Sequence, residues 1–151
     1  MSLRMFGYGS LAIISSAIIS TAGTIAWWAG DRRLPVTVVS TEVLTPMVKP
    51  GGRLSIRQKI DYKRDCAAHV DRSVYDDHTH REFLPDIDYA RPPTGLGVRT
   101  VTFEIDIPEY FRPGMGTYRA QPSYFCNPLQ QFYWPITRPE TVIPFTITEP
   151  G

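Results

Sequence analysis

The sequence predicts an all-β sandwich of about seven strands, preceded by one N-terminal transmembrane α-helix. Three observations carry this prediction. All fourteen prolines lie at or after Pro35, and residues 6–29 contain neither a proline nor a charged side chain. The proline-rich part also alternates apolar and polar residues, as strands do. Proline at that density excludes long helices, and the many aromatic and β-branched residues exclude disorder. A chain of 151 residues accommodates one domain of ordinary size.

The apolar segment 6–29 has the dimensions of a membrane span. Its 24 residues would extend about 36 Å as a helix, against about 30 Å of bilayer core. Aromatic residues stand at both ends, Phe6 and Tyr8 at one and Trp27 and Trp28 at the other, as at membrane interfaces. Residues 1–5 are then a cytoplasmic stub and 30–34 a linker. A cleaved secretory signal is the alternative, with Ser20–Ala22 as the small residues at the cleavage site.

Small residues form a stripe along this helix at every fourth position: Ala12, Ser16, Ser20 and Thr24. Such a stripe lets two helix backbones approach closely, with hydroxyls available for hydrogen bonds between helices. It predicts helix pairing or entry into a membrane complex. The alternative is a helix that tolerates hydroxyl side chains and contacts only lipid.

The remaining chain, 35–149, reads as strands separated by turn signals. The clearest strand begins at Arg53, where Leu54, Ile56 and Ile60 share one face with Gln58 and Tyr62. Pro122 interrupts another strand, which predicts an edge position or a bulge there. The predicted strands are 36–44, 53–63, 70–75, 82–89, 99–107, 117–126 and 142–148.

Two short motifs resemble the immunoglobulin-like fold. Gly116-Thr117-Tyr118 looks like the entry to its sixth strand, and Tyr124 stands two residues before Cys126, as in Tyr-x-Cys. The chain departs from that pattern because Cys126 follows Tyr118 by eight residues and the third strand has no Trp. More distantly, Cys126-Asn127-Pro128 with Trp134-Pro135-Ile136 is similar to uncharacterised small membrane-anchored proteins of tailed phages and alphaproteobacterial prophages.

The two cysteines are expected to form a disulfide between the sheets. Cys66 would close the second strand and Cys126 the sixth, both in phase with the core face. In an immunoglobulin-like sandwich these strands run the same way in opposite sheets, so their ends lie at one height. Two free buried thiols are the alternative. A disulfide requires an oxidising compartment, which places the domain in the periplasm or outside the cell. The flanking charges, Arg4 against Arg32 and Arg33, do not decide orientation.

One loop, 127–140, carries Phe132, Tyr133 and Trp134 beside prolines, a composition typical of a partner-binding hot spot. The alternative is a loop folded over the end of the sandwich. Strand directions place this loop at the end of the domain nearest the anchor. They place the turn containing His78 and His80 at the opposite end.

Little in the sequence indicates chemistry. Asp76, His78 and His80 form the one cluster of metal-type ligands, and a solvated hairpin turn explains them better than a metal site. Nucleophile, nucleotide and dinucleotide motifs are absent from the sequence, so we expect neither an enzyme nor a cofactor site. A net charge of +1 predicts no nucleic-acid partner.

The expected function is therefore that of a single-pass membrane protein. Its domain outside the cytoplasm would bind a protein partner, or its helix would join a membrane complex, in a structural or adaptor role. The main alternative is a phage accessory factor acting on the host envelope, in lysis or in superinfection exclusion. A metal-dependent envelope enzyme is a third hypothesis.

Overall fold

A computed structural model of the protein describes residues 3–149, with side chains from Gly7 onward. The chain begins with helix α1, Leu3–Gly30. Within it Gly7–Gly30 is apolar and long enough to cross a membrane, and its residues are exposed from Gly7 to Trp27. A membrane anchor and a signal sequence both have these properties. Residues 1 and 2 of the predicted stub, and the side chains of Arg4 and Phe6, lie outside the described part.

Nine strands and one short helix follow. The strands are β1 Val36–Val43, β2 Met47–Val48, β3 Arg53–Tyr62, β4 Ala67–Asp76, β5 Arg81–Tyr89, β6 Gly97–Asp106, β7 Gly114–Phe125, β8 Ile136–Thr137 and β9 Thr141–Ile147. Helix α2, Pro128–Phe132, lies between β7 and β8. The seven long strands are those that the alternation predicts, with ends shifted by up to three residues. The sequence analysis missed β2, β8 and α2, since elements this short carry no periodicity.

The strands form two sheets that face each other. One has the order β1-β3-β6, and the other the order β2-β9-β7-β4-β5, with β8 paired to the end of β7. All pairings are antiparallel except that of β2 with β9. Between consecutive long strands, the links β3–β4, β5–β6 and β6–β7 pass from one sheet to the other. The mostly β architecture predicted from sequence is therefore present.

Pro122 corrects one expectation, because its strand, β7, is central rather than at an edge. On one side Pro122 is paired with Val70 of β4. On the other side, β7 pairs with β9 only as far as Ala120, and with β8 from Ser123 onward. The proline thus stands in a two-residue gap between successive partners, where its missing N–H costs no ladder hydrogen bond on that side.

Cys66 and Cys126 are joined by a disulfide, but not between the sheets as expected. Cys66 lies just before β4 and Cys126 just after β7, and the adjacent residues Ala67 and Phe125 are a ladder pair of one sheet. The bond therefore extends the β4–β7 ladder. The expectation of a bond between the sheets was wrong because it continued the alternation of β3 as far as Cys66. The strand ends at Tyr62, and the turn between β3 and β4 interrupts the alternation before Cys66.

The packed core fills only one half of the space between the sheets. Its side chains come from the first residues of β3 and β7 and the last of β4, β6 and β9. They include Leu54, Ile56, Val74, Ile105, Ile107, Phe145 and Ile147. Most of these are at most 4% exposed. This half lies away from α1; we call it the far end, and the opposite end, where β1 begins and β7 finishes, the helix end.

Candidate functional site: the helix end of the sandwich

The helix end is the place where α1 meets the domain. The loop 127–140, which strand directions place at this end, is in direct contact with the last turn of α1. The side-chain amide Nδ2 of Asn127 donates a hydrogen bond to the backbone oxygen of Trp28, at 3.3 Å. His78 and His80 lie in the β4–β5 turn at the far end. The structure confirms both placements.

Gln130 is the central residue of this contact and is 1% exposed. Its Nε2 donates to the backbone oxygen of Asp31 at 2.6 Å, and its Oε1 accepts from the N–H of Cys126 at 2.8 Å. The end of a helix leaves backbone carbonyls without partners inside the helix. Asn127 satisfies one such group, Trp28 O, and Gln130 satisfies the carbonyl of the residue that follows the helix, so the two amides cap the end of α1.

Arg32 fixes the other side of the loop. Its Nη1 and Nη2 each donate a hydrogen bond of 2.8 Å, to the backbone oxygens of Trp134 and Pro135. The guanidinium also lies over the indole of Trp134, 4.3 Å from the ring centroid. A cation in this position is attracted to the face of the ring. Trp134 is therefore held by the linker.

An ion pair joins the linker to the turn after β3. Both Nη atoms of Arg64 donate to the carboxylate of Asp31, one of them at 3.1 Å, and Nη1 also donates to the backbone oxygen of Arg33. Hydrogen bonding to Arg64, opposed by burial and helped by its charge, lowers the pKa of Asp31. Two parallel bonds fix an orientation as well as a distance. We call the contacts of Asp31, Arg32, Arg64, Asn127 and Gln130 the clamp.

The three predicted partner-binding residues point outward from the loop. Phe132 is 72% exposed, Tyr133 84% and Trp134 54%. Their neighbours Gln130 and Ile136 are buried against the sandwich. The loop thus covers the end of the domain and at the same time presents aromatic rings. Trp27, the exposed aromatic at the end of α1, belongs to the same end of the molecule.

The predicted helix-packing residues Ala12, Ser16, Ser20 and Thr24 all lie on α1 and are exposed. The Thr24 hydroxyl donates to the backbone oxygen of Ser20, four residues earlier, at 2.9 Å. A hydroxyl bonded back to its own helix is not offered as a donor to a second helix. Within the stripe, Ser16 and Ser20 therefore carry the interhelical hydrogen-bonding hypothesis.

At the far end, Asp76 organises the hairpin turn. Its side chain is fully buried and accepts four hydrogen bonds, from His78 N, from His80 N and Nδ1, and from Arg112 N. Burial opposes ionisation of this carboxyl, but the bonds from His80, Arg112 and His78 outweigh it and lower its pKa to about 2. A carboxylate so engaged serves the turn, in agreement with the hairpin interpretation of this cluster.

The structure brings together a second group of metal-type ligands, on the outer face of the sheet. His69 on β4 lies 2.7 Å from Asp88, 3.4 Å from Asp71 and 3.9 Å from Asp86, all on the outer face. The hydrogen bond to Asp88, opposed by burial, raises the pKa of His69. Among residues 3–149, only His69, Asp71 and Asp86 combine spacing and ligand type for a metal ion. Surface histidines beside carboxylates commonly form ion pairs with no metal.

Sequence reasoning missed the clamp residues Arg32, Arg64, Asn127 and Gln130. One signal was available, because Asn127-Pro128 has an N-capping residue followed by proline at the first helical position. The structure has that cap, with Asn127 Oδ1 accepting from Gln130 N at 3.0 Å. The contacts with the linker join residues between 31 and 103 positions apart, so no local pattern reports them.

Comparison with known proteins assigns no family. No family model matches the chain, and no curated protein matches it. A β-glucosidase from Erythrobacter marinus is 12% identical over 75% of this chain and 15% of its own, with a TM-score of 0.48. A putative late embryogenesis abundant protein is 14% identical over 93% of this chain and 87% of its own, at 0.44. The sporulation control protein Spo0M from Bacillus subtilis is 10% identical over 79% and 51%, at 0.37. The chain thus spans a small part of the glycosidase and about half of Spo0M, and such scores assign neither a fold family nor an activity.

The clamp should protect the linker from proteolysis. Trypsin cleaves after Arg32 and Arg33, and the second of these side chains is largely exposed. Replacing Gln130 by Leu removes the bonds to Asp31 and Cys126 and should raise the rate of cleavage at 32–33 about tenfold, through local opening. The measurement is limited trypsin digestion of the full chain in lipid vesicles. The control is Gln131→Leu, at the exposed neighbouring position; equal cleavage of both variants would show that the clamp does not hold the linker.

Proposed function

We propose that this chain is a non-catalytic, single-pass membrane protein whose β-sandwich lies outside the cytoplasm and binds a protein partner through its helix end. The observation that carries the proposal is the aromatic loop: Phe132, Tyr133 and Trp134 are exposed on a segment that the clamp holds rigidly against the end of an apolar helix. Exposed aromatics on a preorganised backbone bind with little loss of entropy. The partner is then a protein at the membrane surface, such as a subunit of a membrane complex.

The strand order supports an immunoglobulin-like identity for the domain. If the seven long strands are labelled A, B, C, C′, E, F and G in chain order, the sheets read A-B-E and G-F-C-C′. Immunoglobulin-like sandwiches divide their strands in this manner. The disulfide joins C to F within one sheet, whereas antibody domains join B to F between sheets. This architecture is used by many binding domains, although a fold does not specify a function.

Site-specific crosslinking tests the partner hypothesis. A photoreactive phenylalanine analogue placed at Tyr133 should capture a defined protein from the membranes of the source organism. Combined replacement of Phe132 and Trp134 by Ala should reduce the capture at least tenfold, since each ring contributes about 1 kcal/mol or more at a hot spot. The matched control places the analogue at Phe83, an exposed aromatic on edge strand β5 toward the far end. The same captured proteins from both positions would contradict a specific site at the helix end.

The small-residue stripe should carry any association of the helix. Replacing both Ser16 and Ser20 by Leu adds bulk where two backbones must approach and removes two hydroxyls. We expect helix crosslinking in membranes to fall at least fivefold, which corresponds to about 1 kcal/mol. Replacing Ile14 and Ile18 by Leu, on another face, keeps the volume and is the control. Unchanged crosslinking in the serine variant would leave the stripe without a role in pairing.

The disulfide supports the orientation that we propose, because such bonds persist in oxidising compartments. In this orientation the N-terminus is in the cytoplasm and the domain is in the periplasm or outside the cell. Protease added to sealed cells or spheroplasts should digest the domain from outside. The phage hypothesis, with a role in lysis or superinfection exclusion, stays a prediction whose test is the function of neighbouring genes.

A further inference from the structure

The half of the sandwich nearest α1 is hollow. A cavity of about 320 Å³ lies between the two sheets, from the clamp to the edge of the packed core. Inward positions at the far end carry Leu, Ile and Phe, which fill the gap of about 10 Å between packed sheets. At the helix end the corresponding positions of β4 and β7 include Ala68, Ala120 and Pro122, which are too short to fill it. The cavity follows from this choice of residues, and its volume lies within the range of ligand sites.

The walls of the cavity indicate an apolar ligand. Val38, Ile60, Val70, Ile87, Val101 and Phe103 supply most of the surface from both sheets. Transfer of hydrocarbon from water to such a surface is favourable by about 25 cal/mol per Å². A small volume, at the lower end of the range for ligand sites, fits a single hydrocarbon chain better than a two-chain lipid.

The polar groups of the lining indicate the chemistry of the ligand's head group. Arg72 and Arg138 line the cavity, and none of the lining residues is an Asp or a Glu. Within residues 3–149, the recorded side-chain partner of Arg138 is the neutral hydroxyl of Thr141, at 2.8 Å. Its charge is therefore not paired with a carboxylate of the described chain. An unpaired guanidinium beside an apolar wall favours an anion, and a carboxylate matches its geometry.

Three tyrosines complete the polar part at the helix end. Tyr62, Tyr89 and Tyr124 line the cavity, and no hydrogen bond of their hydroxyls to another group is recorded among residues 3–149. Burial, followed by the electrostatic effect of Tyr89 and Tyr124, raises the pKa of Tyr62. Burial also raises the pKa of Tyr124, against the charge of Arg138. The raised pKa values keep the hydroxyls of Tyr62 and Tyr124 protonated, so that both are available as hydrogen-bond donors at neutral pH.

We propose that the cavity binds a long-chain fatty acid, with the hydrocarbon chain between the sheets and the carboxylate at Arg138. The position of the cavity indicates that the fatty acid would come from the membrane. Cys66, Tyr62 and Val36 line it and lie within a few residues of the clamp, so it lies close to the end of α1. The proposal extends beyond partner binding, and rests on the proposed function only in treating α1 as membrane-spanning.

Photolabelling of the full chain in phosphatidylcholine vesicles tests this site. The probe is palmitic acid carrying a diazirine in mid-chain, and labelled peptides are identified by mass spectrometry. Label should fall on β4 and β7 and be displaced by palmitate about tenfold better than by hexadecanol, because only the acid pairs with Arg138. Label confined to α1, or equal displacement by the alcohol, would overturn the proposal.

Two variants and a control identify the cavity itself. Ala68→Phe fills it and should reduce labelling about tenfold. Ala67→Phe adds the same ring one position earlier, on the opposite face of β4, and should label like the parent. Arg138→Gln, which removes the charge and keeps a polar side chain, should remove the preference for palmitate over hexadecanol. Equal labelling of the two phenylalanine variants, or an unchanged preference in Arg138→Gln, would overturn the site. Labelling should persist in the Phe132 and Trp134 variant, which separates this site from the partner surface.

Discussion

Replacing Asp76 by Ala should lower the free energy of unfolding by about 3 kcal/mol, a large effect for one surface turn. The substitution leaves the backbone N–H groups of His78, His80 and Arg112 without their acceptor. A buried donor without a partner costs about 1–3 kcal/mol, and three donors here share one carboxylate. The effect is read from urea denaturation of the full chain in detergent, followed by the circular dichroism of the sheets.

The same residue makes stability depend on pH in one direction. The pKa of Asp76 is about 2 in the folded chain and 3.8 for the free side chain. A lowered pKa contributes stability that is present above the unfolded value and is lost as the pH falls through the folded value. The parent protein should therefore lose stability between about pH 4 and pH 2. The Asp76→Asn variant should lose less over that interval, because it has no carboxyl to protonate at this position.

Asp71 provides the control for both measurements. It lies on the same strand but is exposed on the outer face, so Asp71→Ala should change the free energy of unfolding by less than about 1 kcal/mol. If Asp76→Ala were no more destabilising than Asp71→Ala, the hairpin would not depend on the buried carboxylate. The four hydrogen bonds assigned to it would then contribute nothing to stability.

Removing the disulfide should have the largest effect of any change considered. The bond closes a loop of 60 residues. In the chain-entropy account, a cross-link of that span stabilises the folded state by roughly 4 kcal/mol. Replacing Cys66 and Cys126 together by Ala should lower the free energy of unfolding by that amount, measured by urea denaturation under oxidising conditions.

Reduction supplies the control within the same chain. Dithiothreitol should destabilise the parent protein and leave the Cys66→Ala, Cys126→Ala variant unchanged. Thiol labelling of the denatured, unreduced protein should find no free cysteine. Two labelled thiols per chain would show that the disulfide does not form. The domain would then have no feature that favours a place outside the cytoplasm.

The seven long strands were predictable because each carries its signal locally. In β3, inward Leu54 and Ile56 alternate with outward Arg53 and Arg57, and burial follows that alternation. Gln58, which the alternation places inside, is also buried, since its amide donates to the hydroxyl of Thr41. The alternation of apolar and polar side chains, with its period of two residues, does not depend on the details of packing wherever one face of the sheet is covered.

The sites were less predictable because they join distant parts of the chain. Asp31 meets Arg64 and Gln130, and neither neighbour leaves a trace in the sequence around Asp31. The cavity depends on which half of each strand carries small residues once the sheets face each other. The cysteines show the same limit: their pairing was predicted, but its geometry depends on where β3 ends and β4 begins.

The clamp joins the helix and the sandwich into one rigid unit. A domain on a loose tether would swing freely, but the ion pair of Asp31 with Arg64 and the amide bonds of Gln130 fix its angle to α1. Rotation of α1 about its own axis would therefore carry the aromatic loop around that axis. The far end, about 33 Å away along a ten-residue strand, is swept through a wider arc. If α1 spans a membrane, as we propose, a partner that turns the helix within the bilayer also moves the domain and its aromatic loop.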